Sequence, residues 1–66
     1  MSIKKTTRSK IISAMRRKSN PNKSADSMAR ILGAVAGVSS RRLEAFINGD
    51  DDAITEAEAK MVDSLS

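Results

Sequence analysis

Apolar residues recur along this chain at helical rather than strand spacing. Ile11, Ile12 and Met15 fall at i, i+1 and i+4, one face of a helix expected from about Arg8 to Ser19. Arg16, Arg17 and Lys18 lie near its end, where cations complement the helix dipole. Asn20-Pro21-Asn22 stops it, because the residue before a proline avoids the α region. Met28, Ile31, Leu32 and Val35 form the stripe of a second helix, with Asp26 as N-cap and Gly37 as a left-handed terminator. Ser39 is placed to cap a third helix running to about Asn48, with Leu43, Phe46 and Ile47 inward. Asn48-Gly49 ends it, and Asp50-Asp51-Asp52 is expected as a solvated turn. Thr55 and Glu58 spell the capping box of a fourth helix. Its expected inward face is Ala57, Met61, Val62 and Leu65, with Ile54 as a hydrophobic staple. The polar, basic stretch from Met1 to Thr7 is expected as a flexible arm, which leaves residues 8–66 as one domain.

Composition narrows this to an all-α fold, a compact bundle of four or five short helices. Only 2% of residues are aromatic, and Ala, Met, Leu, Arg, Lys and Glu favour helix over sheet. A chain of 66 residues buries only about 60% of its unfolded surface, so its stability is marginal. Without Cys or His there is no disulfide and no thiolate or imidazole metal site, leaving oligomerisation or a well-packed helical core as support. No apolar run is long enough to span a bilayer. The segment Ile11–Met15 is too short and too closely flanked by charge for a signal peptide. A cytoplasmic location is expected.

The net charge of +4 conceals an asymmetry. Residues 1–42 hold eleven of the twelve Lys and Arg and one acid, Asp26, giving +10; residues 43–66 hold Lys60 and seven acids, giving −6. A basic half attracts polyanions, and release of their condensed counterions drives binding. The three consecutive acids at 50–52 do not alternate as a calcium loop requires. No nucleophile–base pair and no phosphate-cradling glycine loop occurs, so neither an enzyme, a cofactor, a metal nor a small-molecule substrate is expected.

The stretch from Ala29 to Gly49 carries the most information. Around Gly37 as turn residue, Gly33 lies four before it, Leu32 and Ala36 take packing positions, Val38 plugs the turn, and Leu43 and Phe46 hold the third helix on the second. Two short helices joined by a tight glycine turn need this arrangement, which an ordinary helical hairpin would also satisfy. The stretch Leu32–Gly49 resembles the helix-turn-helix of the phage lambda repressor and Cro family. Two positions depart from the family's pattern: Ala29 stands where a Gln is frequent, and Gly33 stands where Ala is usual, at about 1 kcal/mol of helix propensity.

The resemblance implies a sequence-specific DNA-binding regulator, a repressor in a phage or mobile element, that binds a palindromic operator as a homodimer through the major groove. With Leu43, Phe46 and Ile47 inward, Ser40, Arg41, Glu44, Ala45 and Asn48 project outward. Arg41 is the candidate for bidentate pairing with guanine, against a phosphate clamp or a pair with Glu44. Ser40 is a candidate for a base or phosphate, Glu44 for cytosine and Ala45 for a thymine methyl. Ser39 is mainly a cap, Arg42 is expected at a phosphate, and Asn48 at a phosphate or as a C-cap. Lys4, Lys5, Arg8 and Lys10 are expected to follow the DNA backbone, and Met61, Val62 and Leu65 to form the dimer interface. The alternative is a helical module that binds a host or polymerase protein with its basic half.

Overall fold

The computed structural model of the chain describes residues 2–21 and 23–65, and Asn22, in the first expected loop, lies outside them. The described residues are all-α: α1 (Ile3–Met15), α2 (Ala25–Ala36), α3 (Ser40–Ile47), a single 3₁₀ turn (Asp51–Ala53) and α4 (Glu56–Leu65). α2 packs mainly on α3, and α1 on α4, with α2 also against α4. One apolar core joins them, with Ile11, Leu43, Phe46, Ala59 and Val62 fully buried.

α1 corrects the expected boundaries at both ends. It starts at Ile3 rather than Arg8, so residues 3–7 are helix and not an arm. Ser2 caps it, its hydroxyl accepting from the Lys4 amide at 3.2 Å. The stripe that holds it down is Ile3, Thr7, Ile11 and Ala14, in which a threonine occupies an apolar place. Thr7 is fully buried, and its hydroxyl donates to the Asp63 carboxylate at 3.2 Å and, more weakly, to the Ala59 carbonyl at 3.4 Å. The helix ends at Met15 rather than Ser19 because the Asn20 side chain folds back to donate to the Ala14 carbonyl at 2.9 Å.

α2 is capped by Ser24, not Asp26: the Ser24 hydroxyl accepts from the Ser27 amide, two positions beyond Asp26's own first-turn neighbour Ala25. Asp26 sits inside the first turn, where its charge suits the helix dipole, and pairs with Arg30. The buried face also rotates from the expected stripe. Met28 and Leu32 are inward as expected, but Ala29, Gly33 and Ala36 complete the face, while Ile31 is exposed and Val35 is 66% exposed.

That rotation follows from how closely the turn after α2 approaches it. Gly37 takes a left-handed conformation (φ 73°) and Val38 donates its amide to the Gly33 carbonyl at 3.0 Å. A Cβ at Gly33 would lie 2.5 Å from the Val38 carbonyl oxygen, inside any normal contact. Glycine at 33 therefore gives room to the turn, at the cost in helix propensity noted above. Ala29, also on this face, is almost wholly buried, so the site has no space for a long polar side chain.

α3 buries Leu43, Phe46 and Ile47 as expected, and Val38 plugs the turn before it. The capping box of α4 forms in both directions: the Glu58 amide donates to the Thr55 hydroxyl at 3.1 Å, and the Thr55 amide to the Glu58 carboxylate at 2.8 Å. Ile54 is buried beneath it. The inward face of α4 is Ala59 and Val62, whereas Ala57, Met61 and Leu65 are exposed. Among the described residues no helix is long and apolar enough to cross a membrane.

Candidate nucleic-acid interface

The candidate surface is the outer face of α3. A three-residue connection, Gly37-Val38-Ser39, sets the start of α3 close against α2, with the Ser40 Cα 3.5 Å from where a Gly33 Cβ would stand. Ser39 is the N-cap residue, but its hydroxyl makes no capping hydrogen bond, so the expected cap is present in position only. Ser39, Arg41 and Asn48 are exposed, and Ser40, Glu44 and Ala45 are partly buried on the flanks. Asn48 is the C-cap of α3, its amide donating to the Glu44 carbonyl at 3.0 Å. No ion pair forms between Arg41 and Glu44, and the Arg41 side chain makes no hydrogen bond to the described residues. Its guanidinium is therefore available to solvent or to a ligand.

The remaining expected contact residues separate from this face. Arg42 points the other way, donating to the Ala53 carbonyl at 2.9 Å and pairing with the Glu58 carboxylate. It fastens α3 to the start of α4, so its expected place at a phosphate would compete with these contacts. Arg8 is more deeply committed. Only 18% of its side chain is exposed; Nε donates to the Phe46 carbonyl at 2.8 Å, the guanidinium lies 4.6 Å from the Phe46 ring centroid, and it pairs with Asp51. Lys4 Nζ donates to the Asp51 carbonyl at 2.7 Å, and Lys10 pairs with Asp63 at 3.2 Å. Of the four cations expected to follow a nucleic-acid backbone, Lys5 alone is exposed without such a partner.

These pairings use the acidic half internally. Arg8 holds the Asp51 carboxyl below its ordinary pKa, chiefly through its hydrogen bond. Glu58 is lowered as well, first by the Thr55 amide and then by Arg42. Asp50 accepts from the Asp52 amide at 3.0 Å and so caps the 3₁₀ turn. Asp50 and Asp51 thus take separate roles, and among the described residues no three acidic groups converge on a common point.

The expected dimer interface divides in the same way. Val62 is fully buried within the protomer and is excluded from any intermolecular contact, while Met61 (52% exposed) and Leu65 lie open. Sequence reasoning passed over the exposed pair Ile31 and Val35 by counting both as core. It also gave no ligand role to Arg16, Arg17, Lys18 and Lys23, although the only signal needed was the near absence of acids before residue 43.

Comparison of the chain with protein-family models, with characterised proteins and with solved structures gives no match.

Proposed function

We propose that the chain is a sequence-specific DNA-binding regulator that lays α3 in the major groove, α2 and α3 acting as a helix-turn-helix. The observation that carries this reading is Arg41: an unpaired, exposed guanidinium in the first turn of a short helix whose other basic neighbour, Arg42, is internally fastened. In a groove-bound helix the N-terminal residues reach the base edges, and a guanidinium there matches guanine O6 and N7. Ser40, Ala45 and Asn48 flank it with small or polar groups that let the helix lie close. Repression of a promoter in a phage or mobile element, through a homodimer on a palindromic site, extends the same proposal. Met61 and Leu65 are the interface residues that remain available for it.

Selection of bound duplexes from a random pool tests the reading. An enriched palindrome is expected, and Arg41→Ala is expected to lower discrimination at one base position by about 1–3 kcal/mol. A pool that shows no enrichment overturns it. Exposure of Ile31 and Val35 favours the second reading, a protein-interaction module, for which neither selection nor Arg41→Ala would have any effect.

A further inference from the structure

The α1–α2 connection concentrates charge that the fold does not use. Four of the twelve cations are in ion pairs, Arg8, Lys10, Arg30 and Arg42, and two more, Lys4 and Lys23, donate to backbone carbonyls. Of the remaining six, Arg16, Arg17 and Lys18 are consecutive and lie within eight residues of Lys23, all four exposed and none paired with a carboxylate among the described residues. No acid occurs before Asp26, and Asp26 is engaged by Arg30.

Helix termination does not explain the cluster. Three of the last four carbonyls of α1 are satisfied by backbone and by Asn20: Ile12 and Ser13 accept from the Arg16 amide, and Ala14 from both the Arg17 amide and the Asn20 side chain. The guanidinium groups are not needed there. The connection is also held in place. Asn20 donates its amide to the Arg17 carbonyl at 3.2 Å and its side chain reaches Met28, while Lys23 Nζ closes on the same Arg17 carbonyl. Four like charges thus fall within eight residues of chain before α2, where they repel one another unless an anion lies between them.

We infer that Arg16, Arg17, Lys18 and Lys23 form an anchor for the phosphodiester backbone of duplex DNA, separate from α3 and indifferent to base sequence. This rests on the proposed reading of α3 for the identity of the polyanion. The cluster lies at the N-terminal end of α2 and α3 begins beyond its C-terminal end, an axial offset of roughly 18 Å at 1.5 Å per residue. That exceeds the major-groove width of about 12 Å, so the anchor is assigned to phosphates outside the groove that α3 would enter. The anchor thus takes the role that the N-terminal segment was expected to play before Lys4 and Arg8 were found fastened to Asp51.

Salt titration of binding to a selected and to a random duplex of about 25 base pairs tests this for the wild type, for R16A/R17A/K18A/K23A and for a control, K60A, an exposed lysine outside every proposed contact. Each phosphate contact contributes about −0.9 to the slope of log K against log salt. The quadruple variant is expected to lose roughly 2–4 units of slope and to weaken equally on both duplexes, the control to lose no more than about one. An unchanged slope, or an equal loss in the control, overturns the anchor even if Arg41→Ala abolishes sequence preference. Conversely, a lost slope in the quadruple variant with no effect of Arg41→Ala overturns the reading of α3 alone. Wild type that binds phosphatidylserine vesicles but no duplex overturns both. Helical circular dichroism checks folding, and should the quadruple variant unfold, R16Q/R17Q/K18Q retains Lys23 and reads the same slope.

Discussion

Replacing Gly33 by alanine adds one methyl group at the closest approach of α2 to the turn that follows it. Two effects oppose each other. In a helix interior alanine is favoured over glycine by about 1 kcal/mol, which taken alone would stabilise the domain. Against it, the new Cβ would stand 2.5 Å from the Val38 carbonyl oxygen, a backbone atom that cannot rotate away. Reaching even 3.0 Å requires the turn to move by half an ångström, and the same residue's amide is bonded to the Gly33 carbonyl at 3.0 Å. Overpacking of this kind costs about 1–3 kcal/mol, and a weakened buried hydrogen bond about 1 more. The clash wins, and Gly33→Ala is expected to destabilise by about 1–3 kcal/mol. For a domain of this size that lowers Tm by roughly 5–20 °C, measured by circular dichroism at 222 nm. Ala34→Gly, one residue on and facing solvent, isolates the propensity effect and is expected to cost about 1 kcal/mol. A Gly33→Ala variant that melts several degrees higher than the wild type would refute the reasoning, because the turn would then have given way freely.

Arg8→Ala removes a charged hydrogen bond to Phe46 and a cation–π contact from a largely covered position, and is expected to cost about 2 kcal/mol in urea unfolding. It is expected to leave DNA discrimination intact in the folded fraction; a variant as stable as the wild type would instead return Arg8 to the exposed, ligand-facing group. Acid should weaken the fold through Asp51 and Glu58, whose folded pKa values lie below their ordinary 3.8 and 4.5. Their contribution is complete above the ordinary values and is lost as pH falls through the lowered ones, because the unfolded chain then binds more protons. Urea midpoints should therefore drop from about pH 4.5 downward, and D51N/E58Q should flatten that drop; an equally steep fall in the double variant would place the titrating groups elsewhere.

What was legible in the sequence was local. Gly37, Val38, Leu43 and Phe46 announced the α2–α3 turn and its filling, and Thr55 with Glu58 announced the start of α4, because each of these devices closes within a few residues. The start of α1 was illegible because it depends on distant partners: Thr7 needs Asp63, and Lys4 and Arg8 need Asp51. Stripes drawn through large apolar residues also misplaced the buried faces of α2 and α4. Helices that approach closely meet on small residues, here Ala29, Gly33 and Ala59, and push Ile31, Val35 and Met61 to the rim. On the candidate interface, residue type identified Arg41 and position did not separate it from Arg42. Adjacent residues on a helix diverge by 100°, enough to leave one in solvent and bring the other to Glu58.

The hydrogen bonds of Thr7 to residues 52 and 56 positions later also set an order of events during synthesis. α1 is synthesised first and can meet α2 and α3 before α4, yet Thr7 has no partner until α4 emerges. At about 5–20 residues per second, that interval lasts roughly 3–10 s, during which the Thr7 hydroxyl is hydrated. The α1 segment, too short to hold a helix firmly by itself, thus waits for its last partner, and closure then joins residues 7 and 63.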